Sequence, residues 1–563
     1  MPAFANHRSR IESKWFRRGP AQDSLLVLFG ALVAQIIAFN PYLNLYDEGI
    51  ILYGAERVSN GEVPYRDFWT MYGPAPFYLY SFLYSVFGAT DLVVRVTGIV
   101  IKAIIASLTV LLVSRLAPRP YGLLAALFVL LLLIAVREDA FPVFPALALA
   151  MLSILFTERG VTQGSKTSLA VAGICTGLVT AFRHDLGAYT AVATVVSLML
   201  WLFLVRDRRG VAGIVGTGVQ WLLAYGVGIL LIVLPVAILL FHAVPVRDLY
   251  ENLIYIPAHI YPDMRALPFP GVGVLRDAAE NPAALFEFAV YMPFLAVLWS
   301  ILVELRHVGS KRRQGVPHTD IFGGAWVLIP LIMLTCLLFT LKGLVRVSTI
   351  HMVQSLVLAT ILLAICAARV RWNSRAGVYL FMPGLLLSAV LVALPAHSGA
   401  QMVIQGIRDL AGADENLITR CIRPVLPRLR CVTTDQNYIQ AARFITGNTS
   451  EEDRIYVGVT RHDRIFINAV AFYFMTGRQS VTKWHELHPG VQTRARIQRE
   501  MIAEIKAEAP PFVILDERWE HMKEPNASRH SSGVTLLDEF IHDEFQEVRR
   551  YGTVRILART SDS

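Results

Sequence analysis

Long apolar runs, separated by short polar segments, fill most of the first 395 residues of the chain. A bilayer core about 30 Å thick needs a helix of about 20 apolar residues to cross it. The pattern therefore predicts an all-α polytopic membrane region over residues 24–395, with about eleven transmembrane helices. The predicted spans lie near 24–40, 92–114, 120–136, 140–157, 168–182, 186–205, 217–240, 284–303, 321–340, 352–368 and 376–394.

The pattern becomes hydrophilic after the last predicted span. Segments 454–459 and 512–516 are short apolar runs typical of buried strands, and 546–558 predicts a hairpin. Together with four predicted helices, these strands indicate a small α/β domain over residues 396–563. The helices are predicted over 435–446, 465–476, 491–508 and 534–544.

The composition also indicates a membrane protein. Hydrophobic residues make up 55% of the chain, and charged residues 17%, whereas about 25% of a soluble domain is charged. The sequence contains no Walker A loop, no glycine-rich dinucleotide fingerprint, no HExxH and no GxSxG motif, which argues against nucleotide chemistry.

Basic residues set the predicted orientation, because short cytoplasmic loops are enriched in Arg and Lys. With eleven spans, every basic segment falls on one side, so the net charge of +9 is interpreted as a topology signal rather than a nucleic-acid signal. Residues 1–23 are then cytoplasmic, and residues 41–91 and 396–563 lie outside a membrane that we expect to be a bacterial plasma membrane. The basic residues are Arg8, Arg10, Lys14, Arg17, Arg18, Arg115, Arg119, Arg159, Lys166, Arg206, Arg208, Arg209, Arg306, Lys311, Arg312, Arg313, Arg369, Arg371 and Arg375.

Residues 41–91, hereafter the first loop, are too long, aromatic and acidic for a simple connector. Asp47 and Glu48 precede a helix-like apolar run. Acids at this position can cap a helix by complementing its dipole. Alternatively, one of them is catalytic, because adjacent helical residues point about 100° apart and only one faces a given cleft. We expect the aromatic run 68–87 to form an interfacial helix on the bilayer.

Charged residues also collect in the other predicted extracytoplasmic turns. Arginine binds phosphate through two parallel hydrogen bonds, and a neighbouring carboxylate orients it. These turns therefore predict substrate contacts, although solvated helix caps and contacts with ordinary lipid phosphates would account for the same residue types. The candidates are Arg137, Asp139, Arg183, Asp185, Lys342, Arg346 and His351.

Two further sets of polar residues lie near these turns. Arg95 and Lys102 are seven residues apart in the second span and share a helix face. Arg95 can extend to the surface, whereas Lys102 is deep enough to line a polar groove. The proline-rich loop 241–283 could shape a pocket with the following residues: His259, Tyr261, Asp263 and Arg265.

The first loop carries motifs that resemble a known family. They are Tyr46-Asp47-Glu48-Gly49, Gly61-Glu62-Val63-Pro64-Tyr65-Arg66-Asp67-Phe68, Gly73-Pro74 and Phe77-Tyr78. Over residues 30–395 the chain resembles the GT-C glycosyltransferases, in the branch of the protein O-mannosyltransferases and the lipid A aminoarabinose transferase. The resemblance implies transfer of a sugar, with inversion, from a polyprenyl-phosphate-linked donor. The acceptor would be an envelope glycan, lipid or protein on the extracytoplasmic face of the membrane.

The resemblance also implies roles for particular residues. In the family, an aspartate of the first loop deprotonates or orients the acceptor hydroxyl, and this role falls on Asp47, with Glu48 beside it. Basic residues bind the donor phosphate and stabilise it as the leaving group. The matching candidates are Arg183, Arg346, Arg137 and Lys342.

Tyr65 and Asp67 are expected to support the first loop rather than to react. No metal is required, because polyprenyl phosphate is itself the leaving group. Some GT-C relatives do use a divalent cation, which Asp47 or Glu48 could hold.

Two other functions fit a polytopic membrane protein: a transporter or flippase of a lipid-linked saccharide, and a non-catalytic subunit of an envelope-assembly complex. A transporter would place polar residues at the bilayer midplane, often on broken helices in repeated halves. The sequence shows one deep charge, Lys102, and no repeat.

The five cysteines show no metal-ligand spacing. Three lie in apolar runs and are most simply packed thiols: Cys175, Cys336 and Cys366. Cys421 and Cys431 could form a disulfide if the C-terminal region is extracytoplasmic, and the sequence leaves this open.

Overall fold

A computed structural model describes residues 19–560, except 138, 206–209, 272, 274–275, 277–281, 318–320, 371–374 and 412–416. Within these residues, ten helices are long and apolar enough to cross a membrane, and a further apolar helix is shorter. They coincide with the eleven predicted spans, so the chain is a multi-pass integral membrane protein. The helices are Pro20–Ile37, Asp91–Ser114, Arg119–Val136, Val143–Gln163, Lys166–Phe182, His184–Leu204, Gly210–Ala243, Met292–Arg313, Leu328–Leu344, Thr349–Arg369 and Arg375–Ala411.

Several basic residues that set the predicted orientation lie outside the described part of the chain. They are Arg8, Arg10, Lys14, Arg17, Arg18, Arg206, Arg208, Arg209 and Arg371.

Close approach of small residues holds neighbouring membrane helices together. A Cβ added at Gly173 would lie 2.0 Å from the carbonyl oxygen of Tyr225. Thr176, one turn further on, shares hydrogen bonds with Ser153 (2.9 Å) and with the Tyr225 hydroxyl (2.8 Å). Lipid is as apolar as leucine, so helices associate in a bilayer through this kind of packing and hydrogen bonding.

The last membrane helix, Arg375–Ala411, continues past the predicted end of the final span at residue 394. The added turns stay apolar on one face, where Met402 and Val403 pack against the first membrane helix in a cluster around Ala31. This packing explains why the helix extends through Pro395.

The C-terminal domain contains one five-stranded sheet with the order β2-β1-β3-β5-β4. β1 runs parallel to β2 and β3, whereas β5 is antiparallel to β3 and β4. The strands predicted over 454–459 and 512–516 are confirmed, as is the hairpin. The strands are β1 (Arg454–Val459), β2 (Gln479–Ser480), β3 (Phe512–Asp516), β4 (Phe545–Tyr551) and β5 (Val554–Arg559).

One predicted helix of this domain is much shorter than expected. The helix predicted over 465–476 comprises only Ala471–Thr476. The Asn468 side chain donates to the carbonyl of Val457 (3.2 Å) and accepts from the N–H of Leu487 (2.9 Å), which holds the preceding residues in irregular backbone. The other three predicted helices are present as Gln436–Gly447, Ala495–Glu508, which begins four residues later than predicted, and Leu536–Glu544. Two short helices were not predicted, Leu417–Ile422 and the 3-10 helix Ala527–Arg529.

The first loop folds into two helices, Asp47–Ser59 and Ala75–Phe87. The aromatic helix predicted over 68–87 therefore starts seven residues late. Gly73 and Pro74 interrupt the run, and the helix begins directly after them. The chain passes close to a membrane helix here, because a Cβ at Gly73 would lie 2.3 Å from the carbonyl oxygen of Ala181. The second helix buries one aromatic face (Phe77, Tyr80 and Tyr84) and exposes another (Tyr78 and Phe82).

The first loop and the C-terminal domain share one hydrophobic core. The rings of Tyr53 and Tyr473 stack with their centres 4.7 Å apart, and the Tyr53 hydroxyl accepts a hydrogen bond from the N–H of Ser480 (2.6 Å). The N–H of Leu43 donates to the carbonyl of Thr433 (2.9 Å). The first loop therefore packs as part of the C-terminal domain. A disulfide near this junction joins Cys421 to Cys431.

We predict that Gly49→Ala destabilises the chain, because a Cβ at Gly49 would lie 2.3 Å from the backbone nitrogen of Ala471. Overpacking of this kind costs about 1–3 kcal/mol, which should lower the midpoint of thermal unfolding in detergent by several degrees. The control is Gly309→Ala, where the added Cβ meets no atom within 4 Å. Equal midpoints of thermal unfolding for the two variants would contradict the close packing of Gly49 against Ala471.

Candidate active site

A cavity of about 470 Å³ lies where the membrane helices meet the C-terminal domain. Its volume is within the roughly 300–1,000 Å³ typical of small-molecule sites. The wall combines the start of the first-loop helix, the ends of three membrane helices, the helical segment 253–265 and residues 466–488 of the C-terminal domain. Six predicted site residues line it: Asp47, Arg183, Asp185, Lys342, Arg346 and His351.

Asp47 begins the first-loop helix and lines the cavity with its side chain. The Asn44 side chain accepts hydrogen bonds from the backbone N–H groups of Tyr46 (2.9 Å) and Asp47 (3.2 Å), so Asn44 caps this turn. The Asp47 side chain is open to the cavity. Desolvation by the surrounding protein atoms raises the pKa of Asp47, and the charges of Arg265 and Arg346 offset part of that rise. A carboxylate with a raised pKa is suited to general-base chemistry.

Glu48 points away from the cavity, into a buried cluster of charges. Its carboxylate is 2% exposed and accepts hydrogen bonds from Arg95 (2.8 Å) and from the N–H of Asn44 (3.0 Å). Asp139 pairs with Arg95 (2.7 Å) and with Lys102 (2.9 Å). These residues connect the first loop to the second membrane helix and to the turn after the third. Glu48, Arg95, Lys102 and Asp139 are hereafter the charge cluster.

This arrangement does not fit a divalent cation shared by Asp47 and Glu48, because the Glu48 carboxylate is already paired with Arg95. Among the described residues, no group of three or more His, Cys, Asp or Glu side chains could hold a metal ion. We therefore derive no step through a metal.

Arg183 and Asp185 form a two-point ion pair at the cavity wall. The Arg183 Nε and Nη2 atoms lie 3.0 and 2.5 Å from the two carboxylate oxygens of Asp185. Asp185 also accepts a hydrogen bond from the N–H of Leu186 (2.9 Å), which fixes the carboxylate. The guanidinium is therefore oriented before any ligand arrives.

Lys342 and His351 come from the ends of the two membrane helices on either side of residues 345–348. Lys342 Nζ donates to the carbonyl of His351 (3.3 Å) and lies 5.2 Å from the centre of the Phe141 ring. The His351 ring nitrogen Nδ1 lies 2.7 Å from the Ser348 hydroxyl. These contacts hold the ammonium group at the cavity wall.

Arg346 is held by a residue of the C-terminal domain. Its Nη1 and Nη2 atoms lie 3.0 and 2.6 Å from the carboxylate oxygens of Glu524. Arg346 also donates to the carbonyl of Arg265 (3.0 Å), whose own guanidinium lies 3.5 Å from Glu524. Burial alone would raise the pKa of Glu524, but the hydrogen bond from Arg346 and the charge of Arg265 hold it below its usual value.

Besides Glu48 and Asp139, three predicted residues lie outside the cavity wall: Tyr65, Asp67 and Arg137. Arg137 ends the third membrane helix in a left-handed conformation (φ 57°), with an exposed side chain. The Tyr65 hydroxyl donates to the carbonyl of Tyr72 (2.6 Å), and so anchors a residue that lines the cavity. Asp67 accepts a hydrogen bond from the N–H of Val63 (2.7 Å) within the first loop.

The proline-rich segment 241–283 contributes two of its four predicted residues, Tyr261 and Arg265, to the cavity, whereas His259 and Asp263 are exposed and do not line it. This part of the predicted loop is helical: a π-helix, Glu251–Ile260, is followed by a short α-helix, Tyr261–Arg265. Four further residues carry no recognisable sequence signal. Tyr72, Glu486 and His488 line the cavity, and Glu524 holds Arg346. Three of these belong to the C-terminal domain and approach the membrane region only through tertiary folding.

Comparison with known proteins by sequence finds no match, either to a family model or to a curated protein. Solved structures match in fold. ArnT from Cupriavidus metallidurans, bound to undecaprenyl phosphate, superposes with a TM-score of 0.52 at 13% identity, covering 96% of this chain and 98% of that one.

Two further structures are less similar. The oligosaccharyltransferase of Archaeoglobus fulgidus, in complex with Zn and sulfate, gives a TM-score of 0.46 at 13% identity, over 87% of this chain and 68% of that one. The arabinosyltransferase EmbB of Mycobacterium smegmatis gives a TM-score of 0.40 at 15% identity, over 71% of this chain and 43% of that one. The match to ArnT confirms the predicted fold, a helical transmembrane domain followed by a C-terminal α/β domain.

We predict that Glu48→Ala strongly destabilises the chain, because it removes one of the two carboxylates paired with the buried Arg95. Breaking a buried ion pair costs about 3–5 kcal/mol. The control is Arg66→Ala, which removes a half-exposed pair with Asp67 and should cost about 0–1 kcal/mol. Thermal unfolding in detergent measures the loss of stability in both variants. Similar small losses of stability for the two would show that the charge cluster does not hold the first loop.

Proposed function

We propose that the chain is a membrane glycosyltransferase that uses a polyprenyl-phosphate-linked sugar. Its acceptor is an envelope glycan, lipid or protein, and the reaction takes place on the extracytoplasmic face. The observation that carries the proposal is the meeting of Asp47 with three cations at one cavity beside the membrane: Arg183, Lys342 and Arg346.

The cations suit a phosphate leaving group. Transfer of a sugar from polyprenyl phosphate breaks the bond between the anomeric carbon and a phosphate oxygen, so negative charge grows on the phosphate. Donors fixed in advance stabilise such charge without reorganising during the reaction. Arg183 and Arg346 are fixed by Asp185 and Glu524, respectively.

Asp47 suits the other half of the reaction. The acceptor hydroxyl attacks the anomeric carbon and gives its proton to the Asp47 carboxylate, while the polyprenyl phosphate leaves with the electron pair of the broken bond. Attack on the side opposite the phosphate inverts the anomeric centre. The raised pKa of Asp47 strengthens it as a base relative to an ordinary aspartate.

The other predicted site residues would act by positioning. Glu48 and Asp139 hold Arg95 and thereby the start of the Asp47 helix. Tyr65 and Asp67 shape the first loop beside the cavity. Contact of Arg137 with the donor stays a prediction, as its side chain lies outside the cavity wall.

The fold comparison and the topology support this proposal. The matching ArnT structure contains undecaprenyl phosphate, a lipid carrier of the proposed class. The basic clusters favour an extracytoplasmic C-terminal domain. The Cys421–Cys431 disulfide supports the same side, because disulfides persist in oxidising compartments.

We predict that Asp47→Asn lowers sugar transfer by roughly 100- to 10,000-fold, the usual contribution of a general base. The assay follows radiolabel from polyprenyl-phosphate-linked sugars to an envelope extract, using purified protein in detergent without an ion gradient. The midpoint of thermal unfolding should stay near that of the wild type, since Asn keeps the shape of Asp.

The matched control is Asp263→Asn, an exposed aspartate that does not line the cavity, and it should keep wild-type transfer. Normal transfer by Asp47→Asn would remove Asp47 from the mechanism. Absence of transfer by the wild-type protein alone would favour a transporter or a non-catalytic subunit.

A further inference from the structure

The C-terminal domain contributes two buried polar side chains to the cavity that the reaction described above does not use. Glu486 and His488 line the cavity, and each is 6% exposed. Glu486 Oε2 and His488 Nε2 have no hydrogen-bond partner among the described residues. A buried polar atom without a partner is unfavourable. Both side chains also line the cavity, so a ligand bound there can supply hydrogen bonds to them once the side chains turn toward it.

The surrounding residues hold this segment in place. Asn468 also lines the cavity, and its side-chain amide donates to the carbonyls of Val457 (3.2 Å) and His485 (2.9 Å) and accepts from the N–H of Leu487 (2.9 Å). The N–H of His488 donates to Gln492 (2.7 Å). The backbone between Glu486 and His488 is therefore fixed independently of any ligand.

The hydrogen-bonding character of both side chains follows from their contacts. His488 Nδ1 lies 2.9 Å from the carbonyl of Pro489, which can only accept, so Nδ1 carries the proton and Nε2 is an acceptor. Burial lowers the pKa of His488 to about 3 and keeps the ring neutral. Burial and the nearby Asp47 raise the pKa of Glu486 to about 8, so its carboxyl group can donate as well as accept.

Sugar hydroxyls match these atoms, because a hydroxyl both donates and accepts. A phosphate does not match His488 Nε2, since both are acceptors. The anomeric carbon must lie between the phosphate on the cations and the hydroxyl at Asp47, so the rest of the ring fills the cavity near Asp47. Building on the proposed function, we infer that Glu486 and His488 bind hydroxyl groups of the transferred sugar.

The test compares binding of bare undecaprenyl phosphate with binding of a panel of undecaprenyl-phosphate-linked pentoses and hexoses. The purified full-length chain should bind at least one sugar-linked carrier about tenfold more tightly than the bare carrier. Glu486→Ala should abolish that gain and leave affinity for the bare carrier unchanged. Glu500→Ala, which removes a part-exposed pair with Lys483 outside the cavity, should change neither affinity.

If Glu486→Ala does not fold, Glu486→Met keeps a side chain of similar length without the oxygens and gives the same comparison. If the Glu486 variant binds the bare and the sugar-linked carriers more weakly by the same factor, the inference is overturned. Unchanged carrier binding with a raised KM for the acceptor would also overturn it, and would assign Glu486 to the acceptor. Equal affinity of the wild type for both carriers would overturn the inference alone, whereas no binding of either carrier would contradict the proposed function as well.

Discussion

The site depends on the pairing of charges at the edge of the membrane. Arg95 and Lys102 lie in a membrane helix, where an uncompensated charge is costly. Glu48 comes from the first loop and Asp139 from the turn after the third membrane helix, and together they supply that compensation. Because Glu48 follows Asp47 directly, the interaction that neutralises a membrane cation also fixes the turn that carries the proposed base. Stability of the membrane domain and geometry of the reaction are thus linked through two adjacent residues.

Paired charges also hold the side of the cavity that is proposed to bind phosphate. Arg183 is paired within its own turn, whereas Arg346 is paired with Glu524 of the C-terminal domain. Because of the second pair, residues of both domains form the cavity. Glu486 and His488 of the C-terminal domain also line it, at the proposed sugar position. The C-terminal domain is therefore part of the proposed active site, because its residues orient one cation and complete the wall.

The sequence predicted the membrane helices well, because apolar length and basic clusters act locally and need no tertiary information. It also predicted that Asp47, Arg183, Lys342 and Arg346 share one side of the membrane, although only the structure shows them at one cavity. Adjacent carboxylates cannot be assigned from sequence, since helix rotation decides which one faces the cavity, and Glu48 faces the charge cluster. Glu486, His488 and Glu524 could not be predicted, because their place depends on how two domains pack. The aromatic helix began late because glycine and proline interrupted a run that was read from composition alone.

We propose that the cations at the Asp47 cavity hold the phosphate of a lipid carrier, and a structure of the purified chain with undecaprenyl phosphate would show whether they do. We expect phosphate oxygens within about 2.7–3.2 Å of nitrogen atoms of at least two of Arg183, Lys342 and Arg346. A carrier bound elsewhere, with its phosphate away from this cavity, would rule out this role for the three residues.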